Sequence, residues 1–325
     1  MRAAICHEYG DPEVVRIEDR PDDPVGPGQI RVGIAAASVN FPDVLIVANR
    51  YQMSVPVPFI PGSEFAGQVL EVGPGTDTHK VGDRVFGTTM VGAFAETIVV
   101  AAAAVSPIPS GVTARSAAAF GIGHRTAYLA LRAVGDLQPG DEVVVLGAGG
   151  GVGLAAVQIG SALGARVTAV ASSAEKLGAA TRAGAVNVVN HRDGDLRARL
   201  KEVLPGGSHL VIDPVGGHLS EPALRSLGWG GRFVTVGFAA GDIPRIPLNL
   251  VLLKGIHILG FEFRGFAVHH AEEMRRGEAE LMELFGQGRI DPHIGAAFPL
   301  EQAAAALRYV ADGRAVGKVV VDVAP

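Results

Sequence analysis

Cysteine is almost absent from this chain: Cys6 is the only one in 325 residues. One cysteine forms no internal disulfide and no thiolate zinc cluster. Its neighbours in AAIC mark it as part of a short buried strand. Aromatic residues are also scarce, at 6%. No basic tract interrupts the scattered lysines and arginines, and the formal net charge is −5. A mildly acidic chain has no overall attraction to nucleic acid or to an anionic membrane. No stretch approaches about 20 uninterrupted apolar residues, so no membrane span is expected. The start, MRAAICHEYGDPE, carries acids too early for a secretory signal, which leaves the cytoplasm as the expected compartment. Internal repeats and low-complexity linkers are missing as well.

What the chain has is glycine, at 44 residues, and a hydrophobic content of 48%. Its length suffices for two domains with cores of their own. Up to about residue 120, short strand-like runs alternate with turn signals. The runs include QIRVGIAAASVN (29–40), SEFAGQVLEVG (63–73), DRVFG (83–87) and AFAETIVV (93–100). That spacing suits a small barrel or sandwich. From about 139 the pattern changes. EVVVL, RVTAV, VNVVN, HLVID, RFVTV and IHILG alternate with stretches whose apolar positions recur every three or four residues. Six strands so spaced predict an α/β fold, a doubly wound Rossmann-type parallel sheet with helices on both faces. Near the end, LEQAAAALRYVADG (300–313) reads as an amphipathic helix and GKVVVDV (317–323) as a closing strand. The expected division is residues 1–122 with 262–325 as a β-rich domain, and 123–261 as the dinucleotide-binding domain.

The strongest chemical signal is EVVVLGAGGGVGLAAVQIG. A buried strand runs into Gly147, Gly150, Gly151, Val152 and Gly153, and a helix of small residues follows. Glycines let the backbone turn sharply and approach a pyrophosphate. The helix N-terminus then offers free N–H groups and partial positive charge. The spacing is one residue longer than G-x-G-x-x-G, but the order strand, loop, helix and further strands carries the assignment. At the end of the second strand an NAD enzyme places Asp or Glu on the ribose hydroxyls. Here Ala171 and Ser172 stand instead, with Lys176 close behind, which favours NADPH. Ser172 and Glu175 also read as a helix capping box.

ASVNFPDVL, PFIPGSEFAGQV, VGDRVFG, LGAGGGVGLAAVQI, IDPVGG and GKVVV follow one another along the chain. With this ordered set the sequence resembles the zinc-free quinone oxidoreductase branch of the medium-chain dehydrogenase/reductase superfamily. The resemblance implies a GroES-like barrel for the first domain and a site where it meets the carboxyl edge of the parallel sheet. Zinc-dependent relatives carry a Cys in the first motif and a His in the second; here Asn40 and Ser63 take those places, so no metal is expected. His269 and His270 are adjacent and read as surface residues.

The resemblance further assigns Asn40 to the nicotinamide ribose and Tyr51 to the substrate, as catalytic residues. Thr126, Gly237, Phe238 and Phe261 are assigned to the cofactor. His191 stands where relatives often have a Tyr near the 2′-phosphate, and Lys318 is assigned to the same phosphate as Lys176. Without zinc to stabilise an alkoxide, conjugate reduction of a small-molecule quinone or enone is the implied reaction. An enoyl- or acryloyl-CoA reductase remains open, with Arg50, Arg125 and Arg264 as candidate phosphate contacts. So does a cofactor-binding protein without catalysis. Relatives commonly form homodimers through the edge strand, IHILGFEF here.

Overall fold

The computed structural model describes residues 1–323. The chain forms two compact units, Met1–Ile122 with Pro292–Pro325, and Gly123–Asp291.

In the first unit the alternating run after Gly28 becomes an eleven-residue strand, Gln29–Val39. Every second side chain of its first half is buried, and its last four residues are buried throughout. This strand organises a seven-stranded sheet. Glu64–Val72 pairs along one edge, while the other edge takes Thr97–Ala101 and then Lys318–Asp322. Arg84–Thr88 and Val105–Pro107 extend the sheet antiparallel, and Ile294–Pro299 runs parallel to Lys318–Asp322. Ile30, Val32, Ile34, Phe65, Val69, Val85, Phe94 and Leu307 fill the core. Burying each such side chain contributes about 1.5–3 kcal/mol. One glycine is essential to this packing. A Cβ on Gly67 would stand 1.9 Å from the carbonyl oxygen of Gly33. The two strands approach there because their register shifts between Ile34 and Ala36.

In the second unit six strands lie parallel, in the order Asn187–Asn190, Arg166–Ala171, Glu142–Leu146, Ser208–Asp213, Leu227–Thr235, His257–Gly260. Counted along the chain the order is third, second, first, fourth, fifth, sixth. The direction of winding therefore reverses between Glu142–Leu146 and Ser208–Asp213, and ligands of such sheets bind beyond the carboxyl ends at that reversal. Val143, Val144, Val145 and Leu146 are completely buried. Helices cover both faces of a parallel sheet, which is why this strand reads as an unbroken apolar run.

The return to the first unit comes at Pro292 and not at 262. The residues between form the helices Phe263–His269 and Ala271–Gly286. The second buries Leu281, Leu284 and Phe285. It packs so tightly against the helix Gly121–Leu129 that a Cβ on Gly277 would lie 2.8 Å from the Tyr128 ring. Arg125 grips Glu278 with a two-pronged contact at 2.7 and 2.8 Å. An amphipathic helix without a following strand breaks the βα rhythm, so the sequence pattern places it in the wrong unit.

Substituting Gly67→Ala should destabilise the protein by about 3 kcal/mol or prevent folding, because backbone atoms have to move. Gly206→Ala, where an added Cβ meets nothing within 4 Å, should cost under about 1 kcal/mol. Urea denaturation of both variants tests this, and equal costs would contradict it.

Candidate functional site

In the second unit the chain leaves Leu146 and turns at Gly147, whose φ of +61° suits glycine. Gly150 is the N-cap of the helix Gly151–Ala162, and no side chain caps that helix. The first-turn N–H groups of Gly151, Val152 and Gly153 have no partner within the helix, as helix geometry dictates. The cradle is closed by two contacts only glycine permits. A Cβ on Gly153 would stand 2.1 Å from the Gly147 oxygen, and one on Gly149 would collide with the stem of Lys176 at 2.4 Å. Gly149 was not among the expected residues. Its requirement comes from a helix elsewhere in the chain, which glycine spacing does not reveal.

Lys176 thus lies across the glycine turn. Its pKa is lowered by burial first and by Arg192 second. His191 joins it at the end of the third strand, where its N–H bonds the Ala171 oxygen at 3.1 Å. Its imidazole stands edge-on to that of His218, 6.3 Å between ring centres. Burial lowers the His191 pKa most, with Arg192, His218 and Lys176 adding to the effect. Arg192 thus repels both Lys176 and His191, and His218 and Lys176 repel a charged His191. A multiply charged anion would relieve them. The expected capping box is corrected here: Ser173, not Ser172, caps the helix Ala174–Arg182, accepting the Lys176 N–H at 3.3 Å.

The turn opposite is built by Asp213, a residue given no role from the sequence. It is 1% exposed. Its Oδ1 accepts the N–H groups of Val215 and Gly216, each at 2.8 Å, and its Oδ2 accepts the Ser220 hydroxyl at 2.6 Å. Val215 is thereby set against Gly147, where a Cβ would come within 2.6 Å of it. An acid ending a buried apolar strand, in HLVIDPVGG, was the available signal. Gly237 and Phe238 follow the fifth strand. Phe238 packs over Gly216, and the Gly237 N–H bonds the Asp213 oxygen at 3.3 Å. Phe261 donates its N–H to the Thr235 oxygen at 2.9 Å and buries its ring against Phe263 and Phe266. Only its carbonyl is left to recognise a ligand. Thr126 is half-buried on the helix Gly121–Leu129.

The first unit holds a buried polar cluster. Asn40 caps the helix Phe41–Val47 and gives its N–H to Asp43 Oδ2 at 2.7 Å. Its Nδ2 lies 2.8 Å from Glu64 Oε2 and 3.3 Å from Ser63 Oγ. Lys318 Nζ lies 2.6 Å from Asn40 Oδ1 and 2.7 Å from Glu64 Oε2. Glu64 Oε1 accepts the backbone N–H of Ile122. The side chains of Lys318 and Glu64 are 4% and 1% exposed. This corrects the assignment of Lys318 to a cofactor phosphate. Its strand is interior to the sheet, and its ammonium is already held by Glu64 and Asn40. Asp43 is buried with one oxygen unpartnered, and its carboxyl is pushed up to about 7, chiefly by burial. Ser63, the Asn40 N–H and Lys318 oppose that shift, and Glu64 adds to it. Tyr51 is half-buried and packs against the core of this unit. Among the described residues, no three or more His, Cys, Asp or Glu side chains are grouped to hold a metal ion. No helix among them is long and apolar enough to cross a membrane.

Comparison with known proteins agrees with this geometry. Residues 26–110 match the family described as alcohol dehydrogenase GroES-like domain, and residues 151–283 the one described as zinc-binding dehydrogenase. The second segment contains none of Asn40, Ser63 and Glu64. The mouse (Mus musculus) quinone oxidoreductase-like protein 2 is 38% identical over 320 residues, covering 98% of this chain and 91% of that protein. Escherichia coli quinone oxidoreductase complexed with NADPH matches with a TM-score of 0.89 at 28% identity, over 99% of this chain and 100% of the other. The quinone oxidoreductase from Thermus thermophilus, solved with its NADPH complex, gives 0.85 at 31% identity, over 99% and 100%. A six-stranded parallel sheet with this glycine cradle, joined to a GroES-like unit, defines a medium-chain dehydrogenase/reductase. The chain belongs to the quinone oxidoreductase branch of that superfamily.

The Asp43 carboxyl has a consequence for stability. A group whose pKa rises from 3.8 to about 7 on folding favours the folded state while it is protonated. That stability is fully present below about pH 4 and is lost as the pH climbs through about 7, by up to about 4 kcal/mol. Asp43→Asn does not titrate. Its stability relative to the unsubstituted protein should therefore improve between about pH 5 and about pH 8. Parallel stability curves over that range would contradict the assignment.

Proposed function

We propose that the protein is an NADPH-dependent reductase that transfers hydride, without zinc, to a quinone or an α,β-unsaturated carbonyl. The observation that carries this is the uncapped glycine cradle with Lys176, His191, Arg192 and His218 gathered beside it. Solved relatives that bind NADPH support it. In this reading the N–H groups of Gly151, Val152 and Gly153 receive the pyrophosphate. Ser172, Lys176 and His191 hold the 2′-phosphate, and Thr126, Gly237, Phe238 and Phe261 line the remainder of the cofactor. Bound NADPH supplies the hydride. Asn40 fixes the nicotinamide end, and Tyr51 donates a hydrogen bond to the acceptor oxygen as charge develops there. Independence from zinc is supported by the donor set, since an amide and a hydroxyl, Asn40 and Ser63, replace a thiolate and an imidazole.

Initial rates with NADPH and NADH, using phenanthrenequinone and a simple enone, test the reading. NADPH should be preferred and a chelator should leave the rate unchanged. Preference for NADH, or loss of rate with chelator, would overturn it. NADPH binding without turnover of either acceptor would point to an acyl-CoA substrate or to a binding role without catalysis.

The basic cluster adds a pH dependence. His191 begins below its ordinary pKa, and a phosphate beside it raises that pKa, so binding takes up a proton. NADPH affinity should rise as the pH falls from about 8 to about 6, and rise less in His191→Ala. NADH, which lacks the 2′-phosphate, serves as the flat control. Equal slopes for NADPH in both proteins would remove His191 from the site.

A homodimer and a cytoplasmic location complete the proposal. The edge strand His257–Gly260 has one unpaired side. Trp229, Leu248, Leu252 and Leu253 are 67–82% exposed in the same unit. Exposed apolar groups of this size favour a protein partner. Light scattering after size exclusion should give twice the chain mass; a monomer at assay concentration would contradict it.

A further inference from the structure

The carboxamide of Asn40 is gripped at both ends, and its grip determines what it can recognise. An amide side chain can be turned over, exchanging oxygen and nitrogen, with little change in shape. Here its neighbours leave one choice. Lys318 Nζ, which carries donors only, stands 2.6 Å from Oδ1. Glu64 Oε2, an acceptor, stands 2.8 Å from Nδ2. Turned over, the amide would set N–H against the ammonium and oxygen against the carboxylate, two repulsions in a buried place.

In the orientation observed, one Nδ2 hydrogen goes to Glu64 and the other to Ser63 Oγ at 3.3 Å. Both donors are thus used. Asn40 Oδ1 has accepted once, from Lys318, and keeps a second lone pair. Asn40 is 8% exposed, so its surroundings leave little room for more than one further partner.

We infer that Glu64 and Lys318 are positioning residues that hold Asn40 as a hydrogen-bond acceptor, ready for a hydroxyl donor such as a ribose hydroxyl of the cofactor. The inference rests on the reading above that Asn40 meets the cofactor. It has a corollary for the reaction. Asn40 has no hydrogen left to stabilise negative charge on the acceptor oxygen, so that duty falls to another donor. The pair also meets a condition that a single charged residue would not. Each charge compensates the other, so the grip on Asn40 adds no net charge to the site.

The test is a cycle of substitutions. Removing one partner alone would leave a buried charge uncompensated, so Lys318→Met and Glu64→Gln are made together. They are placed in the natural chain and in Asn40→Ala. NADPH affinity is followed by fluorescence, and kcat/KM with phenanthrenequinone by absorbance. In the natural chain the pair removal should weaken both quantities by about tenfold or more, and in Asn40→Ala by less than about twofold. Equal losses in the two backgrounds overturn the inference, since the pair would then act on stability and not through Asn40. If the natural chain turns over no acceptor, the reductase reading fails, and the affinity cycle still decides the positioning role. If the pair-removed protein does not fold, the unsubstituted protein decides it. With nitrogen-15 asparagine, the signal lost in Asn40→Ala identifies the Asn40 amide. Its hydrogens should exchange slowly with and without NADPH; exchange as fast as that of an exposed amide overturns the inference.

Discussion

The contact between Lys318 and Glu64 is the constraint on which the first unit depends. It joins the last strand of the chain to the strand that begins at Glu64, 254 residues earlier. The chain leaves this unit after Ile122 and returns at Pro292, so an entire second unit is inserted between the two partners. Sheet pairing of Lys318–Asp322 with Gln29–Val39 supplies the backbone part of the closure. The ion pair supplies its specificity. A carboxylate and an ammonium removed from water cost several kcal/mol each and are tolerated only when they find one another and further hydrogen bonds. Asn40 and the Ile122 N–H provide those bonds. A misregistered C-terminal strand would leave both charges stranded, so the pair selects one register.

The second unit is governed by a different constraint, the absence of side chains. Gly147, Gly149 and Gly153 are each required by a neighbour that sits where a Cβ would be. The neighbours differ in kind: a valine after the fourth strand, a lysine stem on the helix after the second, and the backbone of the turn itself. The cradle is therefore the point at which three separate segments converge. Asp213 draws in one of them by binding Val215 and Gly216 through the same oxygen. Ser173 draws in another by starting the helix that carries Lys176.

Much of this is legible in the sequence because it is local. The central strands of the parallel sheet, Glu142–Leu146, Arg166–Ala171 and Ser208–Asp213, are short apolar runs, and their burial on both faces leaves little alternation to misread. The glycine loop is visible because strand, turn and helix lie within a few residues. What escapes depends on contacts distant in sequence. Gly149 matters because of Lys176. Lys318 reads as an exposed lysine near a strand end, and only the pairing of its strand with Gln29–Val39 shows that it faces inward. The helix Ala271–Gly286 has an ordinary amphipathic pattern, and nothing local says which unit covers its apolar face. The strand Leu227–Thr235 reads short because Gly228, Gly230 and Gly231 resemble a loop.

The polar cluster is buried without becoming apolar. Asn40, Ser63, Glu64 and Lys318 make a place rich in hydrogen-bonding atoms. Filling it with apolar groups would strand Glu64. Leaving it empty would strand Asn40. The Lys318 ammonium answers both requirements, since it is a cation with several donors. Asp43 then experiences a compensated neighbourhood. Burial raises its pKa while Lys318, Ser63 and the Asn40 N–H lower it, and the balance stands at about 7. The carboxyl pushed up to about 7 is the one that accepts the backbone N–H of Asn40. Protonation at Asp43 and the placement of Asn40 are therefore joined by a single hydrogen bond.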